Sequence, residues 1–102
     1  MSTGTPPDAP QTRLVRVRGR VQGVGFRDGC LHGARRFGVA GWVRNRLDGS
    51  VEALLHGPPD RLEALLQWLR QGVPAARVDT IEVAGLDTPD PPPSGFERRP
   101  TA

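Results

Sequence analysis

Leu14-Val15-Arg16-Val17-Arg18 alternates apolar and charged residues, the period of a half-buried strand. Val15 and Val17 are expected to face a core, and Arg16 and Arg18 to face water. After a glycine-rich turn the period changes. Phe26, Cys30, Ala34 and Phe37 recur at helical spacing with Leu31 beside them, and Gly38 is placed to cap the end. Gly29 and Gly33 would each weaken that helix by roughly 1 kcal/mol relative to alanine, unless packing demands small residues there. Gly41 to Leu47 reads as a second strand that places Val43, Asn45 and Leu47 on one face. Asp48-Gly49 signals a tight hairpin, and Val51 to His56 returns with Val51, Ala53 and Leu55 on one face. Beyond Gly57-Pro58-Pro59-Asp60, a stripe of Leu62, Leu65, Leu66 and Leu69 predicts a second helix ended by Gly72. Arg77 to Val83 supplies a fourth strand whose alternation falters around Asp79 and Thr80, and Phe96 to Arg99 is a short fifth pairing segment.

Strand, helix, strand, strand, helix, strand is the split βαβ order. It predicts an α+β, ferredoxin-like βαββαβ sandwich, an antiparallel sheet with two helices on one face. The chain has 102 residues, enough for one domain, and its 36% hydrophobic content supports a single modest core. Residues 1–12 (MSTGTPPDAPQT) hold three prolines and almost nothing to bury, so a disordered N-terminal extension is expected there. The folded unit is expected over 13–99, with 100–102 as a C-terminal tail. Within it, Thr88 to Gly95 (TPDPPPSG) reads as a connection near polyproline II geometry.

Charge and cysteine narrow the classes. The net charge is +3, and all 14 basic residues are arginine, spread among 11 carboxylates rather than gathered in a basic arm. This suits an anionic ligand and equally a solvated mixed surface. The single cysteine excludes an intrachain disulfide and a multi-cysteine metal site. No apolar run approaches the roughly 20 residues of a membrane span, and the N-terminus lacks a secretory pattern. A cytoplasmic monomer, free of membrane and nucleic acid, is the expectation.

The stretch GRVQGVGFR, Gly19 to Arg27, carries the candidate chemistry. A glycine-rich turn between a strand and a helix can aim several backbone N–H groups at one spot, and the helix start adds unsatisfied donors. Such a site takes anions, phosphate above all. Arg27 at the junction has a planar fork of donors suited to two phosphate oxygens. Neither the nucleotide P-loop, which needs a lysine, nor the dinucleotide fingerprint, which needs a third glycine, is present. Glycine spacing alone leaves anion binding and a plain structural turn both open. Asn45 adds weight, because an amide stands where the strand pattern calls for an apolar residue, and a buried amide needs partners.

GRVQGVGFR together with GWVRNRLDGSVEALLHG, Gly41 to Gly57, resembles the two signatures of the acylphosphatases. The similarity runs from about Arg13 to Phe96. What the resemblance implies is hydrolysis of small-molecule acyl phosphates without metal or cofactor. Backbone N–H groups of Gln22, Gly23, Val24, Gly25, Phe26 and Arg27 would hold the phosphate, the Arg27 side chain would bind its oxygens, and Asn45 would position water. The family usually has an apolar residue where Arg98 stands, and often an aromatic where this chain has Arg99-Pro100.

Other residues invite different readings. Cys30 follows the loop and lies on the apolar face of its helix, which makes it a core residue rather than a nucleophile. His32 and His56 are expected at the surface, and Trp42 and Trp68 as partly buried packing residues. Asp28 either orients Arg27 or complements the helix N-terminus. Two other functions use the same fold: a non-catalytic phosphate-binding or regulatory module, and an RNA-binding sheet. The latter needs exposed stacking aromatics, and this chain has no tyrosine and only three phenylalanines.

Overall fold

The computed structural model describes residues 9–102. Most of the expected N-terminal extension, residues 1–8, lies outside the described residues, while Gln11 and Thr12 already belong to the first strand. The elements run β1 (Gln11–Arg20), α1 (Phe26–Phe37), β2 (Ala40–Asn45), β3 (Val51–Gly57), α2 (Pro59–Gln71), β4 (Arg77–Leu86) and β5 (Phe96–Arg98). The sheet order is β4-β1-β3-β2-β5. Neighbours among its first four strands pair antiparallel, and β5 adds to β2 in parallel, so the complete sheet is mixed rather than purely antiparallel.

Both helices pack on one face. Val15, Val17, Val43, Val51, Ala53 and Leu55 from the sheet meet Phe26, Cys30 and Ala34 of α1 and the four leucines of α2, all buried. The small residues in α1 serve this packing. A Cβ on Gly33 would stand 2.8 Å from the Trp68 ring, and one on Gly29 would stand 2.7 Å from Val73. Their cost in helix propensity is therefore offset by close contact between layers.

β4 is three residues longer than the pattern predicts. Its uneven alternation has a structural cause, because Arg18 pairs with Thr80 while Gly19 pairs with Val78, which leaves Asp79 as the extra residue of a bulge. The bulge lets Val78 and Ile81, three apart, both pack on the core.

Leu47 departs from expectation. It sits in the β2–β3 turn, 88% exposed, instead of continuing the buried face of Val43. That turn runs from Arg46 to Ser50, with the Gly49 N–H donating to Arg46 O and the Arg46 N–H donating to Ser50 O. His56 differs as well: it is half-buried, with Nδ1 2.9 Å from the Thr12 hydroxyl, which also meets that of Thr88. The proline-rich segment connects the two opposite edges of the sheet, and the Gly95 carbonyl accepts the Gly41 N–H. Residues 100–102 do not trail free. The Ala102 N–H donates to Asn45 O, and the Leu47 N–H donates to Ala102 O.

The face away from the helices carries a charge network. Glu52, buried, accepts from Arg16 and Arg44 and lies 3.6 Å from Arg46. Burial opposes its ionisation, but the arginine hydrogen bonds outweigh burial and hold its carboxyl below the usual range. Arg16 and Arg18 also reach Asp48, so this face is an ion-pair lattice rather than bare side chains in water.

Candidate active site

The C-terminal ends of β1, β2 and β5 and the start of α1 converge at one end of the sheet. Gly23 and Gly25 both have positive φ, 74° and 79°, in the left-handed region. No atom lies within 4 Å of where a Cβ on either would stand. Glycine is needed there for the path of the chain rather than for lack of space. Residues bent this way turn successive amides toward a common centre.

Gly25 is also the N-cap of α1, and no side chain caps it. The first helical bond runs from the Gly29 N–H to Gly25 O. The N–H groups of Phe26, Arg27 and Asp28 precede it and have no intrahelical acceptor. Here the helix dipole favours negative charge.

A cavity of about 160 Å³ opens in front of these amides, lined by Gly23, Gly25, Phe26, Arg27 and, from β2, Asn45. Val21, Asp28 and Arg98 complete its wall. Of the sequence-predicted site residues, Gln22 and Val24 do not line it. The Gln22 side chain turns instead to the β2–β3 turn, where Nε2 donates to Arg46 O at 2.7 Å and to Ser50 O at 2.9 Å. It thus ties the glycine loop to the hairpin that carries Asn45. Asn45 Oδ1 is buried and has no hydrogen-bond partner among the described residues.

Asp28 stands in the first turn of α1, where it complements the helix N-terminus, and it does not orient Arg27. Its carboxylate accepts a hydrogen bond from Nη1 of Arg98 on β5 and is not paired with Arg27. Arg98 is the site residue that sequence reasoning missed. The signal was present: Phe96 points into the core, so the alternation places residue 98 on the same face, where an arginine is out of pattern.

Asp48 braces the hairpin from the other side. Its Oδ1 accepts from the Ser50 hydroxyl at 2.6 Å and the Ser50 N–H at 2.9 Å. These two bonds, with help from Arg18, hold its carboxyl well below the usual range. Cys30 is fully buried, and burial pushes its thiol up to about 12, so it stays protonated within the core.

The split βαβ sandwich, with a cavity at its first strand–helix turn lined by an arginine and an asparagine, is a small ferredoxin-like α+β domain. The acylphosphatase family model matches residues 14–98 of this chain. The chain is 54% identical to acylphosphatase 1 of Ralstonia nicotianae over 101 residues, covering 99% of each. It superposes on the crystal structure of acylphosphatase from Bacillus subtilis with a TM-score of 0.80 at 36% identity, covering 89% of this chain and 99% of that one. For an acylphosphatase from Coxiella burnetii the TM-score is 0.82 at 33% identity, covering 88% and 93%. The chain belongs to the acylphosphatase family.

Proposed function

We propose that this protein hydrolyses the carboxyl–phosphate bond of acyl phosphates, giving a carboxylate and inorganic phosphate. The observation that carries this reading is Asn45, whose buried Oδ1 has no partner among the described residues and which lines the same cavity as the uncapped helix start and Arg27.

The phosphoryl group would lie in the loop, its oxygens taking hydrogen bonds from the backbone N–H groups of the cavity-lining Gly23, Gly25, Phe26 and Arg27, rather than from the whole expected run of residues 22–27, and from the Arg27 guanidinium. Asn45 Oδ1 would accept a hydrogen bond from water and turn the water's lone pair toward phosphorus, in line with the departing carboxylate. An amide is no base near neutral pH, so Asn45 orients the water and does not deprotonate it. As the new P–O bond forms and the bond to the acyl oxygen breaks, the water's proton passes to a phosphate oxygen. Carboxylate is a good leaving group and needs no strong general acid. Catalysis then rests on in-line placement and on fixed donors that meet the spreading negative charge. In this reading the chemistry calls on no metal or cofactor, and the substrate is a small molecule.

Release of phosphate from benzoyl phosphate, with Arg27→Ala and Asn45→Ala beside the wild type, tests this. Loss of one such donor, as in Arg27→Ala, commonly costs about 3–4 kcal/mol of barrier, and Asn45→Ala removes the acceptor that places the water in line, so both variants should keep their fold and lose nearly all turnover. Substantial hydrolysis by either variant refutes the assignment. Phosphate binding without turnover by the wild type would favour a non-catalytic module.

A further inference from the structure

Arg98 pairs with Val43 in the β5–β2 ladder, and Val43 is fully buried beneath the helices. Residues opposite one another in a ladder share a face, so Arg98 lies on the helix side of the sheet, as does Asn45 two positions beyond Val43. There it donates to Asp28 in the first turn of α1, and both side chains border the cavity that Arg27 and Asn45 line. Among the described residues, Asp28 is the one carboxylate in that wall. It adjoins Arg27 in sequence, yet Arg27 forms no ion pair among the described residues.

A carboxylate at the rim of an anion site does harm in two ways: it repels the guest, and it competes for the arginine meant to bind it. Without a partner, Asp28 would have the uncapped helix start and Arg27 as its nearest attractions. We propose that Arg98 is a positioning residue for the reaction. It holds the Asp28 carboxylate, and so leaves Arg27 and the loop amides to the phosphoryl group. The proposal rests on the acylphosphatase reading above. Arg98 acts through Asp28 and does not touch the phosphoryl group. It also accounts for a charge at a strand position where alternation with the buried Phe96 calls for an apolar side chain.

A double-mutant cycle over Arg98→Ile and Asp28→Asn tests this, with KM and kcat for benzoyl phosphate and the Kd of inorganic phosphate by calorimetry. Arg98→Ile should weaken phosphate and raise KM by about two- to fivefold, the upper range of one exposed ion pair, with a smaller change in kcat. Arg98→Lys should restore most of that affinity. Asp28→Asn alone should bind phosphate at least as well as the wild type, and Asp28→Asn in the Arg98→Ile protein should return affinity to near the wild-type level. If the double variant stays as weak as Arg98→Ile, Arg98 contacts the anion directly and the proposal is wrong. Unchanged affinity in Arg98→Ile overturns it too. The calorimetric arm reads the coupling with or without turnover. Absence of wild-type hydrolysis would therefore count against the acylphosphatase reading alone, while the cycle still decides the role of Arg98.

Discussion

Gln22→Ala separates the framework of the site from its chemistry. The side chain makes two hydrogen bonds, to Arg46 O and Ser50 O. Each carbonyl also accepts a backbone N–H within the turn, so the substitution removes two neutral bonds and orphans neither acceptor. At about 0.5–1.5 kcal/mol net for each bond, the expected loss is about 1–3 kcal/mol. For a domain of this size that lowers the thermal midpoint by roughly 5–20 °C. Asn45 adjoins Arg46, so loosening the turn should also lower kcat for benzoyl phosphate by about tenfold or more, as small misplacements of a positioning group do. The loop's own amides remain, and the inhibition constant of phosphate should change less than kcat. Gln22→Glu is the sharper arm. A carboxylate has no donor to offer and would face two carbonyl oxygens, so it should be less stable than Gln22→Ala at neutral pH. Thermal unfolding followed by circular dichroism reads the order. A Gln22→Glu protein as stable as the wild type, or a Gln22→Ala protein with unaltered midpoint and kcat, refutes the bracing role.

Glu52 and Asp48 both have carboxyl groups held below their unfolded values, Glu52 by arginine hydrogen bonds that exceed its burial penalty and Asp48 by Ser50. Their stabilisation is thus complete above about pH 4–5 and lost as pH falls through the carboxylate range. Urea unfolding from pH 7 to pH 3 should show that loss, and Glu52→Gln should flatten it; an identical acid slope in the variant contradicts the sign. Cys30, its thiol raised to about 12, should resist a disulfide reagent at pH 8 until the protein is unfolded, and Cys30→Ala should retain turnover. Rapid labelling of the native state would show the thiol is not sealed. Ending the chain after Arg99 removes the two backbone bonds of Ala102 to Asn45 and Leu47. This should cost about 1–3 kcal/mol and lower kcat more than phosphate affinity, both measurable in the assays above.

The element order was legible because strand and helix periods differ and because glycine and proline punctuate between them. Asn45 was legible for a related reason: an amide interrupts an alternation of apolar residues. Arg98 was harder, since β5 has only three residues and its alternation is short. Its partner Asp28 is distant in the chain and meets it only through the parallel pairing of β5 with β2. The burial of Glu52 could not be read locally either, because the arginines that neutralise it come from β1, β2 and the following turn. Gln22 stands in a loop whose proposed role concerns its backbone, and nothing in the sequence says where its side chain goes.

β1 is the first element of the sheet to be synthesised, yet it ends as an interior strand with a neighbour on each side. Val15 sits between Ala53 of β3 and Val83 of β4. Neither neighbour exists when β1 leaves the ribosome, and each pairing closes a long loop, which makes folding slow relative to chains with local contacts. The glycine loop hangs from the end of this strand, and its brace, the β2–β3 turn, also arrives later. The loop thus gains its brace only once β2 and β3 are present, and a chain that stops before β5 has the motif without Arg98 in the cavity wall.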